Sequence, residues 1–240
     1  MACLSDYDKR LRVYAERLRV AAVSFNLVSR LELDRIELHI LDSIMAFNNR
    51  LKMNELEEQA ALGIDIGSGA GMPGIVLSVL FPEISWVLLE SRKKRLDFLN
   101  ETLSQLGISN ARAVRGRVEE LGHESPWRAS ANIATARAVA PFPVLAEIGV
   151  PLLKVGGRLL CMKGHQVKQE IDGCVEFLDS LGASVEDIHT YESPLGGTRA
   201  VVSIRKDAET PDHFPRSAQR LRQESKRFHL KQAKQEDCFT

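Results

Sequence analysis

Gly67-Ser-Gly-Ala-Gly-Met-Pro-Gly74 crowds four glycines into eight positions between an apolar run, Leu62-Gly-Ile-Asp-Ile66, and a second apolar stretch from Ile75 to Phe81. Glycines let a chain turn sharply and bring bare backbone against a ligand. Pro73 suits the first turn of a following helix. Such a turn, at the carboxyl edge of a parallel strand, is where open sheets bind ligands. Gly69, Gly71 and Gly74 satisfy the G-x-G-x-x-G spacing, a weak signal alone that the strand–turn–helix setting strengthens. Glu90 ends the next apolar run, Trp86-Val-Leu-Leu-Glu90, where a carboxylate can accept both hydroxyls of an adenosine ribose. That chemistry suits NAD and S-adenosylmethionine equally. The basic run Arg92-Lys-Lys-Arg95 lies beyond the ribose carboxylate, and no later segment offers a nicotinamide or hydride-transfer site.

These residues need a frame, and the pattern around them supplies one. Before Gly63 there is neither Pro nor Gly, and residues 1–58 read as a helical extension packed on the core. Leu11, Tyr14, Ala15, Leu18, Ala22 and Phe25 recur at helical spacing, and Ile36, Ile40, Ile44 and Phe47 form one face of a helix over 36–51. From 59 to 206 strands at 62–66, 86–90, 111–115, 132–136 and 157–163 alternate with helices at 75–81, 93–106, 144–153 and 167–181. Strands alternating with helices specify a parallel sheet covered on both faces. Two final strands, 185–191 and 200–206, are separated only by the turn at Pro194-Leu-Gly-Gly197, which adds an antiparallel hairpin at one edge. The fold expected is therefore α/β, a Rossmann-like, mostly parallel sheet with a terminal hairpin, as in methyltransferases. Residues 207–240 read as a basic, flexible tail.

Lys+Arg and Asp+Glu both number 32, so the net charge is zero and a globally basic nucleic-acid binder is excluded. RNA contact must come from local patches. Cys3, Cys161, Cys174 and Cys238 show no metal spacing and read as reduced structural thiols. The polar N-terminus lacks a signal-type apolar run, and no segment is long enough for a membrane span. A cytoplasmic, metal-free monomer without membrane contact is expected.

The segments Asp65-Ile-Gly-Ser-Gly-Ala-Gly-Met-Pro-Gly-Ile75 and Leu89-Glu-Ser-Arg-Lys-Lys-Arg-Leu-Asp-Phe-Leu99 resemble the GidB (RsmG) family of small-subunit rRNA guanine-N7 methyltransferases. Asn26-Leu-Val-Ser29, His39-Ile-Leu-Asp-Ser-Ile44, Gly116-Arg-Val-Glu-Glu120, Ala136-Arg-Ala-Val-Ala140, Pro151 to Arg158 with Met162-Lys-Gly164, and Gly197-Thr-Arg-Ala-Val-Val202 extend the similarity in order. The resemblance implies S-adenosylmethionine as cofactor and 16S rRNA or the small ribosomal subunit as partner. It implies that Gly67 and Met72 line the cofactor, with Asp65, Ser68, Gly69 and Gly71 in the same turn. Glu90 would take the ribose, Val118 and Glu119 would flank the adenine, and Arg137 would stand at the mouth of the reaction site. No catalytic base is implied, because guanine N7 carries a free lone pair. Arg137, Lys163 and His39 are candidates for positioning the base or its phosphate, although His39 could equally bond Asp42 or a neighbouring carbonyl.

Candidate RNA contacts are Arg10, Arg12 and Arg17 in the extension, Arg92, Lys93 and Arg95 after the second strand, and Arg199, Arg216 and Arg220. Three positions depart from the family pattern: Asn132 replaces an Asp early in the fourth strand, Leu38 replaces an Arg, and Glu90 replaces an Asp. The first two bear on substrate docking, and the third keeps the carboxylate. Two other readings fit the same residues: a methyltransferase of a small molecule or protein, and an adenosine-nucleotide sensor without catalysis.

Overall fold

Period-two strands and period-3.6 helices build one seven-stranded sheet in the computed structural model, which describes residues 7–25, 30–47, 61–164 and 167–236. The strands are β1 (Leu62–Ile66), β2 (Ser85–Glu90), β3 (Ala111–Arg115), β4 (Ala131–Arg137), β5 (Leu153–Lys163), β6 (Ala183–Glu192) and β7 (Thr198–Lys206). Their order is β3-β2-β1-β4-β5-β7-β6. The first five are parallel, and β7 pairs antiparallel with both β5 and β6. The hairpin therefore does more than extend an edge: its second strand enters between β5 and its own first strand. β1 pairs with β2 on one side and β4 on the other, so the strand order reverses at its carboxyl end. A crevice for a ligand opens at such a point.

Successive residues of β2 point to opposite faces. Trp86 and Leu88 join the core on one side, and Val87 and Leu89 join the core on the other. The first face is covered by α1 (Lys9–Phe25), α2 (Ile36–Phe47), α3 (Gly74–Leu80) and α4 (Lys93–Gln105), with a 3-10 turn at Arg30–Arg35. The second carries α5 (Val118–Leu121), α6 (Phe142–Gly149), α7 (Val167–Ile171), α8 (Val175–Leu181) and the start of α9 (Ala218–Glu236).

The N-terminal helices form part of the main core. Leu11, Tyr14, Ala15, Leu18 and Ala21 make a buried stripe on α1, and Ile36, Ile40, Ile44 and Phe47 make one on α2. Both stripes share a cluster with Ile133, Leu160, Met162 and Val201 from β4, β5 and β7. Each large side chain so buried contributes about 1.5–3 kcal/mol. The residues 48–51 of the expected second helix, and Asn26-Leu-Val-Ser29, lie outside those described, as do Cys3 and Cys238. Cys161 and Cys174 are buried free thiols, with burial pushing the Cys161 thiol up to about 12.

Two expectations change. The single helix over 167–181 is two, α7 and α8, because Gly173 takes a left-handed φ of +81° between them. The segment expected as a loose tail contains the nineteen-residue α9. Its approach is pinned to the body. Arg128 donates to the carbonyls of Gly122, Thr210 and Phe214, Phe214 packs edge-on to Phe177, and Arg216 forms a two-pronged pair with fully buried Glu147. Composition signalled a charged segment but not these anchors. No described helix is long and apolar enough to cross a membrane.

Candidate active site

The glycine turn leaves β1 and doubles back over β2. Ser68 N–H donates to the Leu89 carbonyl at 3.0 Å, and Gly71 N–H donates to the Ser68 carbonyl at 2.7 Å. Gly71 sits at φ +100°, a region that excludes most side chains, and a Cβ there would lie 2.5 Å from Ile75 Cδ1 and 2.9 Å from the Tyr14 hydroxyl. That hydroxyl donates to the Ala70 carbonyl at 2.7 Å, so α1 holds the turn from outside. Met72 is partly buried and packs against the same core as α1 and α2.

Asp65, expected to touch the cofactor, lies instead beneath the turn. It is fully buried, and its carboxylate accepts Gly74 N–H at 3.1 Å and the Thr135 hydroxyl at 3.0 Å. Both bonds fasten the start of α3 and β4 to the end of β1. Burial pushes the Asp65 carboxyl up to about 6, against hydrogen bonds that favour the charged form. Its folded value exceeds its unfolded one, so the folded chain binds the extra proton between them. The stability difference between this chain and Asp65→Asn is therefore expected to move against the carboxylate as pH rises from about 4 to 6, by up to about 3 kcal/mol. Urea unfolding of both proteins across that range checks the sign, and an opposite slope would refute it.

Glu90 has 5% exposure at the end of β2. One carboxylate oxygen accepts Gly69 N–H at 3.0 Å and the other accepts Arg92 N–H at 2.8 Å, while the Arg95 guanidinium stands 3.9 Å away. The glycine turn and the β2–α4 turn are thus tied through one side chain. Beside it opens a cleft of about 290 Å³. Gly67, Glu90, Val118 and Glu119 come together on its walls from the ends of three parallel strands. Ser68, Gly69 and Gly71 are buried in the turn, with Gly69 bonded to Glu90. Val139, Ala140, Val144 and Ile148, following β4, complete the apolar side. Ala218, Leu221, Arg222 and Ser225 of α9 form a further wall that sequence reasoning missed. Their spacing of three, four and seven was a visible signal for a helical face.

Arg137 and His39 are neighbours, but as part of a buried lattice. The Arg137 guanidinium donates to His39 Nδ1 at 2.6 Å, to the His39 carbonyl at 3.1 Å and to the Ser43 hydroxyl at 3.1 Å. Asp42, fully buried, lies 3.6 Å from Arg137 and accepts from Arg199 at 3.1 Å, Ser193 at 2.6 Å and Tyr191 at 3.1 Å. This carboxylate locks α2 to β4, β6 and β7. Burial beside Asp42 pushes the Tyr191 phenol well above its usual range. The His39-Ile-Leu-Asp-Ser segment contained Asp42, but only the fold reveals its four partners.

Lys163 is likewise committed. Its ammonium donates to the Ala140 carbonyl at 3.0 Å and to Glu170 at 2.7 Å, and Glu170 also accepts Phe142 N–H at 2.9 Å. It anchors the loop after β4. Asn132 accepts Leu62 N–H at 3.0 Å at the start of β4, the sheet end opposite the cleft. Its departure from Asp therefore concerns strand pairing and not docking. Leu38 packs on the N-terminal core.

The cationic candidates divide in the same way. Arg17 bonds Thr102 at 3.1 Å and stacks over Phe98, Arg199 serves Asp42, and Arg216 serves Glu147. Each of these three guanidinium groups holds two elements together. Arg10 pairs with Asp8, Lys93 with Asp97, and Arg95 stands over Glu90. Arg12, Arg92 and Arg220 are exposed.

A parallel sheet with an antiparallel β7 inserted beside β5, and a cleft at the β1 switch point, define a Rossmann-like methyltransferase. Solved structures agree at the level of fold. MtNAS, solved in complex with MTA and tNA, superposes with TM-score 0.56 at 12% identity, covering 82% of this chain and 71% of that one. A mutant of the 16S rRNA (adenine(1408)-N(1))-methyltransferase from Catenulisporales acidiphilia gives 0.50 at 14% identity, covering 69% and 91%. Residues 8–202 match the GidB family, rRNA small subunit methyltransferase G. A relative named ribosomal RNA small subunit methyltransferase G, from Syntrophomonas wolfei, is 38% identical over 210 residues, covering 87% of this chain and 95% of its own. One from Desulfitobacterium hafniense is 37% identical over 217 residues, covering 89% and 87%. This chain belongs to the GidB family of rRNA small subunit methyltransferases.

Proposed function

We propose that this chain transfers the methyl group of S-adenosylmethionine to N7 of a guanine in 16S ribosomal RNA, in the cytoplasm. The observation that carries the cofactor reading is the convergence of Gly67, Glu90 and Glu119 on one cleft. The donor set fits. A carboxylate offers about four lone-pair sites. Gly69 N–H takes one on one oxygen of Glu90, while Arg92 N–H at 2.8 Å and the Ser91 hydroxyl at 3.5 Å approach the other. The first oxygen keeps a site for one ribose hydroxyl, and rotation of the weakly held Ser91 hydroxyl opens one on the second. Gly67 presents bare backbone at φ +64°, where a Cβ would crowd Val139 at 3.1 Å. Val118 offers an apolar edge to an adenine, and Glu119 an acceptor for its amino group.

S-adenosylmethionine supplies, when bound, an electrophilic methyl on a positively charged sulfur. A guanine N7 holds an unprotonated lone pair at neutral pH, so no general base is required of the chain. The chain's task is alignment, which can supply about 7–11 kcal/mol. Glu90 fixes the nucleoside end. The Asp42 lattice fixes Arg137 at the end of β4 against α2. Exposed Arg12, Arg92 and Arg220 give phosphate contacts; the chain's zero net charge confines attraction to such patches.

Small subunits from cells lacking N7-methylguanosine, incubated with this chain and labelled donor, test the reading. Label is expected in 7-methylguanosine after digestion of the 16S rRNA. Label in another nucleoside, or in protein only, would overturn it.

A further inference from the structure

The family match ends at residue 202, whereas α9 begins at Ala218. The strap between them is clipped to the body up to Arg216, by Arg128 on the carbonyls of Thr210 and Phe214 and by the Arg216–Glu147 pair. His123 Nε2 also lies 2.8 Å from the Pro215 carbonyl. α9 therefore starts from a fixed point at the rim of the cleft. Ala218, Leu221, Arg222 and Ser225, at i, i+3, i+4 and i+7, share one helical face, and all four line the cleft opposite Gly67 and Glu90. Leu221 is 5% exposed, so its hydrophobic surface is already seated. Arg220 and Arg227 are exposed on the reverse of the helix.

Resting on the cofactor reading above, we propose that α9 is a cofactor-binding element. Its inner face closes the adenosyl end of the cleft. Leu221 and Ala218 remove apolar surface of the nucleoside from water, and Arg222 and Ser225 offer polar atoms to its rim. The methionine end is left to the glycine turn and β4.

Calorimetry with S-adenosylhomocysteine and with methylthioadenosine, which lacks the amino-acid end, tests this. A chain ending at Ser217 keeps the Arg216 anchor and loses the helix. Its dissociation constants are expected to rise about tenfold or more, by the same factor for both compounds. Because truncation can disturb the fold, Arg222→Ala with Ser225→Ala in the full chain gives a second reading, with a rise of about threefold. Unchanged affinity in both proteins would overturn the proposal, and tighter binding after truncation would do so by showing that α9 obstructs the site. Failure of the intact chain to bind either compound would instead overturn the cofactor reading, and this proposal with it.

Discussion

Glu90→Ala is expected to weaken S-adenosylhomocysteine binding about a hundredfold or more. Hydrogen bonds to a charged group contribute about 1.5–3 kcal/mol each, and a ribose would place two on this carboxylate. The substitution also frees Gly69 N–H and Arg92 N–H, which the carboxylate holds at 3.0 and 2.8 Å, so the turn that shapes the site loosens as well. Glu90→Asp keeps the charge with a shorter reach and is expected to retain most of the affinity. Calorimetry on all three proteins, with thermal unfolding in the absence of ligand, separates lost contact from lost fold. Affinity within threefold of the parent in Glu90→Ala would remove Glu90 from the site.

The largest loss of stability is expected at Asp42, which is fully buried. Asp42→Ala leaves the guanidinium groups of Arg137 and Arg199 without their shared counter-charge, and the hydroxyls of Tyr191 and Ser193 without their acceptor. Breaking a buried pair by removing one partner costs about 3–5 kcal/mol. Asp8→Ala removes a shorter pair, with Arg10 at 2.7 Å, whose side chains are about one-third exposed, and is expected to cost less than about 1 kcal/mol. Urea unfolding measures both. Equal effects at the two positions would show that the Asp42 lattice is not a structural lock.

Much of this was legible from spacing. The strands from 62 to 206 and the helices between them follow from period and from glycine and proline punctuation, because each element buries one face against a single core. The glycine turn and Glu90 could be named because they fall at strand ends, where the parallel topology itself directs groups to the cleft; Val118 and Glu119 were named only through the family resemblance. Asp65 escapes a reading by sequence for a physical reason: a carboxylate before a glycine turn can face the ligand or fasten the turn, and only the neighbours Thr135 and Gly74 decide. The same holds for Arg17, Lys163, Arg199 and Arg216. In sequence each is a cation suited to phosphate; in the fold each has an oxygen acceptor supplied from another element. The α9 wall was hidden because its composition is that of a solvated helix, and its position depends on the anchors at Arg128 and Glu147.

Calorimetric titration of the intact chain with S-adenosylhomocysteine, run beside NAD, puts the central claim most directly at risk. One equivalent of the homocysteine compound is expected to bind, and NAD to give no heat. Saturation by NAD with no response to S-adenosylhomocysteine would mean that the Glu90 cleft serves a different adenosine ligand, and that the chain is not using this site to transfer methyl groups.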